Sequence, residues 1–99
     1  MVKHVVLFKL ISFAEAAQKQ EVMNEIKTKL EALQAVIPSL KSMEVGLNAN
    51  ANESFDISLI TTHQDFDGLK AYATHPEHVK VGQLIGQYKA DRSCVDFEY

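Results

Sequence analysis

The chain opens with an apolar run, Val2 to Ile11, in which β-branched and large apolar residues dominate and which predicts a first strand. Beyond it, apolar residues recur at helical spacing between charged ones, which predicts a first helix over roughly Phe13 to Val36. Ser12 and Glu15 have the spacing of a capping box at its start. Pro38 disfavours helical geometry at the residue before it, so the helix should end there.

In the next part of the chain, apolar and polar residues alternate with a period of two. Leu40 to Leu47 and Phe55 to Thr62 both alternate apolar with polar residues, as half-buried strands do. A polar connector, residues 48–53, separates them. These two segments are therefore the second and third predicted strands.

Two helices and a strand are predicted for the remainder. Asp65 or Asp67 can cap a second helix, which should stop near His75 because the following proline biases that residue away from helical geometry. Pro76 suits the first position of a third helix, which runs to about Tyr88. Residues 92–99 alternate again and form the fourth predicted strand.

The resulting order, β-α-β-β-α-α-β, predicts an α+β fold of the ferredoxin-like split β-α-β type. Residues 1–99 have no linker-like stretch, so we expect a single domain. Right-handed crossovers place the helices on one face of a four-stranded antiparallel sheet. The other face is then left uncovered by the chain itself.

Strand parity predicts which residues lie on each sheet face. The residues expected beneath the helices are Val2, Val6, Phe8, Leu10, Met43, Val45, Leu47, Phe55, Ile57, Leu59, Val95 and Phe97, with His4 among them. The residues expected on the opposite face are Val5, Leu7, Ile11 and Ile60, together with Lys3, Lys9, Glu44, Asp56, Asp96 and Glu98. A surface this apolar favours a homodimer that packs sheet on sheet, and a small chain gains from the extra burial. The alternative is a monomer with an apolar central strand.

Composition limits the classes of partner and the cellular compartment that we expect. A net charge of -3 with scattered basic residues argues against nucleic acid. No apolar run is long enough to span a bilayer, and the amino terminus lacks the features of a signal peptide, so we expect a cytoplasmic protein. Cys94 is the only cysteine and is expected to be a buried, inert thiol.

The densest group of residues capable of proton chemistry is the segment from Tyr72 to His78. His78 falls in the first turn after Pro76, where the positive helix end disfavours imidazolium and favours a neutral, proton-accepting ring. It shares a helical face with Val81 and Ile85 and should point toward the sheet face that holds His4. Alternatively, His78 bonds a backbone carbonyl, and His4 and Tyr72 are ordinary core residues.

The other histidines have simpler interpretations. His75 precedes a proline and is expected to cap the third helix, and His63 is expected at the surface. His75, Glu77 and His78 lack the spaced ligand set of a zinc site, so no metal is predicted. No glycine-rich phosphate loop is present, and no cofactor is predicted.

Several motifs resemble the stress-responsive dimeric α/β-barrel family: Met1 to Leu10, Ile37 to Lys41, Phe55 to Leu59, Tyr72 to Val79 and Val95 to Glu98. The resemblance implies homodimers in which two sheets form a barrel. Most members have no defined reaction, and one plant member is a polyketide cyclase that works without a cofactor. By likeness to it, His78 is the base, Tyr72 the supporting phenol and His4 the strand histidine that faces the pocket. The residues expected to bind a ligand are Val6, Val22, Met23, Ile26, Ile57, Val81 and Ile85.

Three functions are therefore open. The first is a homodimer of undefined activity with a cleft for a small apolar ligand in each subunit. The second is a cofactor-free acid/base enzyme that acts on a carbonyl compound with His78 as base. The third is a cofactor-independent monooxygenase of the kind found on related dimeric barrels.

Overall fold

The computed structural model describes residues 1–99 and confirms the predicted order of elements. The strands are β1 (Val2–Leu10), β2 (Ser42–Leu47), β3 (Ile57–His63) and β4 (Lys89–Glu98). The helices are α1 (Ala16–Ala32), α2 (Phe66–Thr74) and α3 (Pro76–Tyr88), and a short 3₁₀ turn, Leu33–Ala35, follows α1. No helix combines the length and the apolar character that a membrane span requires.

The four strands form one antiparallel sheet in the order β2-β3-β1-β4. Buried and exposed residues alternate along the second half of β1, so the helices cover one face and leave the other open. The core between helices and sheet contains residues from every element except β4, including Val6, Ile26, Leu59, Tyr72 and Ile85. The predicted ferredoxin-like fold with helices on one face is thus confirmed.

The start of α1 differs from the prediction. The Ile11 amide donates to the Tyr88 carbonyl at 2.7 Å, and the rings of Phe13 and Tyr88 stack with centroids 5.9 Å apart. These contacts hold the chain extended against the end of α3, so the helix begins only after Glu15. The Glu15 side chain makes no capping bond, and the predicted capping box with Ser12 does not form.

Asp56 is not on the open face, as parity had suggested, but is buried just before β3. Its Oδ2 accepts from the Leu10 amide at 2.7 Å, and its Oδ1 pairs with Lys19 Nζ at 2.7 Å. The carboxylate thus satisfies a backbone amide at the end of β1 and balances its own burial with a cation. β3 begins at Ile57, directly after Asp56 and two residues later than predicted. Phe55 still lies in the preceding loop.

Strand β4 is longer than predicted, and its parity is the reverse of the prediction. Val95 lies opposite Val5, and Phe97 lies opposite Lys3, so both project from the open face rather than toward the helices. Asp96, which had been placed on the open face, lies opposite His4 and shares its side of the sheet. The apolar residues of this strand therefore enlarge the open face.

His63 also differs from the prediction, because it is fully buried rather than at the surface. Its Nδ1 donates to the Ser39 carbonyl at 2.9 Å, and its Nε2 lies 2.9 Å from the Thr61 hydroxyl. Burial lowers the pKa of His63 below its ordinary value of 6.5, although the bond to Ser39 opposes this. With both nitrogens bonded, His63 is a structural histidine of the core.

Candidate functional site

The site is built at the junction of α2 and α3. Asp65 caps α2 by accepting from the Gly68 amide at 2.8 Å. The helix ends at His75, whose extended geometry is the one that a following proline favours. As predicted, His75 caps α3, and its Nδ1 accepts from the Glu77 amide at 3.1 Å.

Pro76 also determines how His78 is held. A proline has no amide hydrogen, so it cannot satisfy a carbonyl in the last turn of α2. The Ala73 carbonyl instead accepts from His78 Nδ1 at 2.9 Å. Because a carbonyl can only accept, Nδ1 carries the proton, and Nε2 of the neutral ring keeps a free lone pair.

The environment of His78 favours this neutral form. Burial is the main cause that lowers the pKa of His78 below its ordinary value of 6.5, and the bond to Ala73 opposes it. Electrostatic repulsion by Arg92, and by His4 and His75 in their protonated forms, lowers the pKa of His78 further. A ring that is unprotonated at neutral pH can accept a proton from a ligand.

Tyr72 lies directly beside His78, with their ring centroids 4.5 Å apart. Its side chain is fully buried, yet its hydroxyl has no hydrogen-bond partner in the protein. Burial raises the pKa of Tyr72 to about 12, so the hydroxyl keeps its proton and can act as a donor. An unpaired hydroxyl in a core costs free energy, which makes this group the least expected feature of the fold.

His4 approaches from β1 and is held by β4. Its Nδ1 donates to Asp96 Oδ1, and Cys94 Sγ lies 3.5 Å from the same nitrogen and 3.4 Å from Asp96 Oδ1. Cys94 is exposed, which corrects the prediction of a buried thiol, and partial burial and the Asp96 carboxylate raise its pKa. The three side chains could offer ligand atoms to a metal, but Arg92 adds positive charge beside them. We assign no metal to this cluster.

His4, Tyr72 and His78 line one cleft of about 240 Å³ between the sheet and the α2–α3 junction. Its apolar lining comes from β1, β3, α1 and α3 and consists of Val6, Phe8, Leu59, Leu30 and Ile85, with Ala73 and Gly82 beside them. Lys89 and Arg92 of β4 complete it. The structure thus brings together the three residues predicted as an acid/base group.

Only two of the seven residues predicted to bind a ligand, Val6 and Ile85, line this cleft. Val81 lies instead in a groove between α1 and α3, and Met23 lies in a groove beside the polar connector. Val22, Ile26 and Ile57 are core residues outside the cleft. The physical reason is that α1 runs back along the sheet from the Leu10 end of β1, so its second half, where Leu30 lies, reaches the level of His4.

The sequence analysis missed Lys89, Arg92 and Gly82 as cleft residues. Lys89 was missed because β4 was predicted to begin only at Arg92, and Arg92 was missed because the predicted parity put it on the same side as Asp96, away from the helices. The signal that could have found them is pairing with β1, because Arg92 lies opposite Phe8 and Lys89 opposite Leu10, both residues of the helix-covered face. Gly82 leaves space, since a Cβ atom built there would meet nothing within 4 Å.

A four-stranded antiparallel sheet in the order β2-β3-β1-β4, with helices on one face, defines a ferredoxin-like α+β protein. The sequence model of the stress responsive A/B barrel domain matches residues 2–99, and the chain belongs to that family. No protein with a curated description is significantly similar in sequence.

Solved structures with the same fold agree with this assignment. A dimeric protein of unknown function from Bacteroides fragilis is 45% identical, with a TM-score of 0.93, over 99% of this chain and 95% of that one. A dimeric ferredoxin-like protein of unknown function from Thermobifida fusca is 27% identical, with a TM-score of 0.84, over 99% and 90%. A hydroxynitrile lyase from Passiflora edulis has a TM-score of 0.80 over 97% and 90%, and at 14% identity this likeness concerns the fold alone.

Proposed function

We propose that this protein binds a small carbonyl compound in the cleft and removes a proton from the carbon next to the carbonyl group, without a cofactor. The observation that carries the proposal is the buried, unpartnered Tyr72 hydroxyl beside a histidine whose Nε2 is free. A hydroxyl that the fold leaves unpaired is a donor available to a ligand oxygen. The cleft provides the space in which such a ligand can lie.

The proposed step needs only these two side chains. His78 Nε2 takes the proton, and the electron pair of the broken C–H bond forms a carbon–carbon double bond. The carbonyl electron pair moves onto oxygen, and the Tyr72 hydroxyl donates a hydrogen bond to the enolate that results. Return of the proton from His78 to carbon or oxygen restores the ring and completes an exchange or an isomerisation. His4, oriented by Asp96, offers a second imidazole in the same cleft.

Exchange of the α-proton for deuterium tests the proposal without knowledge of the natural substrate. Wild-type protein in deuterium oxide should accelerate the loss of the carbon 3 proton signal of 2-oxobutanoate or 2-butanone, followed by NMR. Binding without exchange would contradict the acid/base proposal. The protein would then be one that binds carbonyl compounds without turnover. No exchange and no binding of either compound would contradict the cleft as a site for carbonyl compounds.

Filling the cleft from Gly82 should abolish this exchange. Gly82→Leu adds a side chain where nothing lies within 4 Å, so the fold should tolerate it while the ligand loses its space. Gly86→Leu is the matched control, because it lies one turn further along the same helix, has equal free space and does not line the cleft. Both changes remove a helical glycine, so the free energy of unfolding should rise by up to about 1 kcal/mol in each. Equal exchange rates in the two variants would contradict a reaction in the cleft.

We further propose that the chain forms a homodimer through the open face of the sheet. The support is an apolar patch formed by Val5, Leu7, Ile60, Val95 and Phe97 on neighbouring strands. Val95 is 62% exposed and Phe97 42% exposed in the single chain, which is unusual for apolar residues of a sheet. The relatives from Bacteroides fragilis and Thermobifida fusca are described as dimeric, which supports a dimer of this chain.

An added charge on this patch should separate the subunits. Val95→Asp would place an unpaired carboxylate, twice by symmetry, in the buried interface and should weaken dimerisation by about a hundredfold or more. Sedimentation equilibrium should then give the monomer mass of 11.1 kDa, whereas the wild-type protein should give twice that mass. Val36→Asp is the control, because Val36 is 50% exposed but lies outside the open face. A wild-type chain that is monomeric at micromolar concentration would overturn the dimer.

A further inference from the structure

Two cations at the cleft form no ion pair with an acidic side chain of the protein. Arg92 is the only arginine of the chain, and it lines the cleft together with Lys89. The ion pairs of the structure are those of His4 with Asp96, of Lys19 with Asp56 and of Lys80 with Glu77, so neither cleft cation forms one. Asp96, whose pKa the charge of Arg92 helps to lower, is already hydrogen-bonded to His4.

The rest of the lining has no negative charge to offer them. Apart from the two cations, the lining consists of apolar residues, two histidines, a glycine and the neutral phenol of Tyr72. The positive charge of Arg92 reaches the ring of His78, because it is one of the charges that lower the pKa of this base. One small ligand can therefore contact both the two cations and the acid/base residues of the cleft.

We propose that the ligand of this cleft is a small oxo acid, with its carboxylate held by Arg92 and Lys89 and its carbonyl oxygen directed to the Tyr72 hydroxyl. The inference rests on the proposed function and adds the class of substrate. A guanidinium presents a planar pair of donors that matches a carboxylate, and an ammonium adds a second charge-assisted bond. The phenol, in contrast, suits a neutral carbonyl oxygen that becomes negative during the reaction.

The size of the cleft limits the ligand further. At about 240 Å³ the cleft lies below the roughly 300 to 1,000 Å³ of pockets for drug-sized ligands. The apolar residues Val6, Phe8 and Leu59 offer contact to a short hydrocarbon portion and no polar partner. A short-chain oxo acid with an aliphatic or small aromatic tail therefore fits the three parts of the lining.

The test compares two compounds that differ in one group. 2-Oxobutanoate carries a carboxylate where 2,3-pentanedione carries a neutral acetyl group, and both have the same ethyl group next to a carbonyl. The exchange rate of each methylene is divided by its rate with free imidazole, which corrects for intrinsic acidity. The corrected kcat/KM of the wild-type protein should favour 2-oxobutanoate by about tenfold or more, the effect of a charge-assisted bond.

Variants show whether the two cations cause this preference. Arg92→Gln should reduce the ratio about tenfold, Lys89→Gln should reduce it less, and the preference of the wild type should weaken as salt is added. Lys70→Gln removes an exposed lysine of α2 that does not line the cleft and should leave the ratio unchanged. An equal ratio in the wild type and in Arg92→Gln would overturn the inference, even if exchange itself is fast.

Failure of the inference and failure of the proposed function remain distinguishable. If both compounds exchange at equal corrected rates, the acid/base function stands and the oxo-acid inference is wrong. If neither exchanges, titration of 2-oxobutanoate into isotope-labelled protein, followed by NMR, decides the inference alone. Binding that Arg92→Gln weakens about tenfold supports a carboxylate site without turnover, and absence of binding overturns it.

Discussion

His78→Gln should slow the α-proton exchange of a carbonyl compound by about 10²- to 10⁴-fold, the range that a positioned general base contributes. Glutamine can still donate to the Ala73 carbonyl, which His78 Nδ1 bonds at 2.9 Å, but it cannot take up a proton at neutral pH. The junction of α2 and α3 should therefore persist while the base is lost. Circular dichroism and the denaturant midpoint provide the control for an intact fold. An exchange rate close to that of the wild type would show that His78 is not the base.

The pH dependence of the same exchange follows from the environment of His78. Because burial lowers the pKa of this ring below 6.5, the ring stays neutral at pH values where a free histidine is already protonated. Protonation removes the base, so kcat/KM should be level near neutral pH and should fall as pH drops through a midpoint below 6.5. A midpoint above 6.5 would mean that another group limits the reaction.

Tyr72→Phe should lower the exchange rate by about 10²- to 10³-fold, the cost of removing one donor to a developing oxyanion. At the same time it should leave the free energy of unfolding unchanged or raise it by about 1 kcal/mol, because the hydroxyl that it removes is buried without a partner. The ring itself, which packs against His63 and His78, is retained. Chemical denaturation measures the second effect and NMR exchange the first.

The two measurements on Tyr72→Phe separate a functional from a structural hydroxyl. A structural hydroxyl would be hydrogen-bonded in the fold, and its loss would lower both stability and activity. A functional hydroxyl lowers the stability of the unliganded protein, and it contributes favourable free energy only when the ligand is bound. A clear loss of stability in Tyr72→Phe would contradict the role proposed here for the phenol.

The sequence was sufficient for the fold because each element has its own local signal. A run of β-branched and large apolar residues defines β1, and alternation defines β2 and β3. Helical spacing defines α1, and Pro76 separates α2 from α3. The same proline made the position of His78 predictable, since it places that residue in the first turn of α3. Local chemistry thus located the centre of the candidate site.

The incorrect predictions concern residues whose positions depend on a long-range contact rather than on the local sequence pattern. The parity of β4 was wrong because apolar residues were assumed to face the helices, whereas pairing with β1 sends Val95 and Phe97 to the open face. Because the predicted parity was reversed, Arg92 could not be placed in the cleft and Asp96 could not be placed beside His4. His63 was taken for a surface residue because the carbonyl of Ser39 and the hydroxyl of Thr61, which satisfy its ring, are not visible as a motif.

The capping box failed for a related reason. Ser12 and Glu15 have the correct spacing, but Phe13 between them stacks on Tyr88, which is 75 positions away in the chain. A contact of that range overrides a local cap that contributes about 1 kcal/mol. Spacing predicted the presence of the helix correctly and its first residue incorrectly.

The most direct test of the proposed acid/base cleft is the stereochemistry of deuterium uptake at carbon 3 of 2-oxobutanoate. A single base, His78 Nε2, approaches a ligand held between the sheet and α3 from one side only, so one of the two methylene hydrogens should exchange much faster than the other. We expect a product that carries one deuterium in a single configuration. Equal loss of both hydrogens, or uptake no faster than in free imidazole, would contradict it.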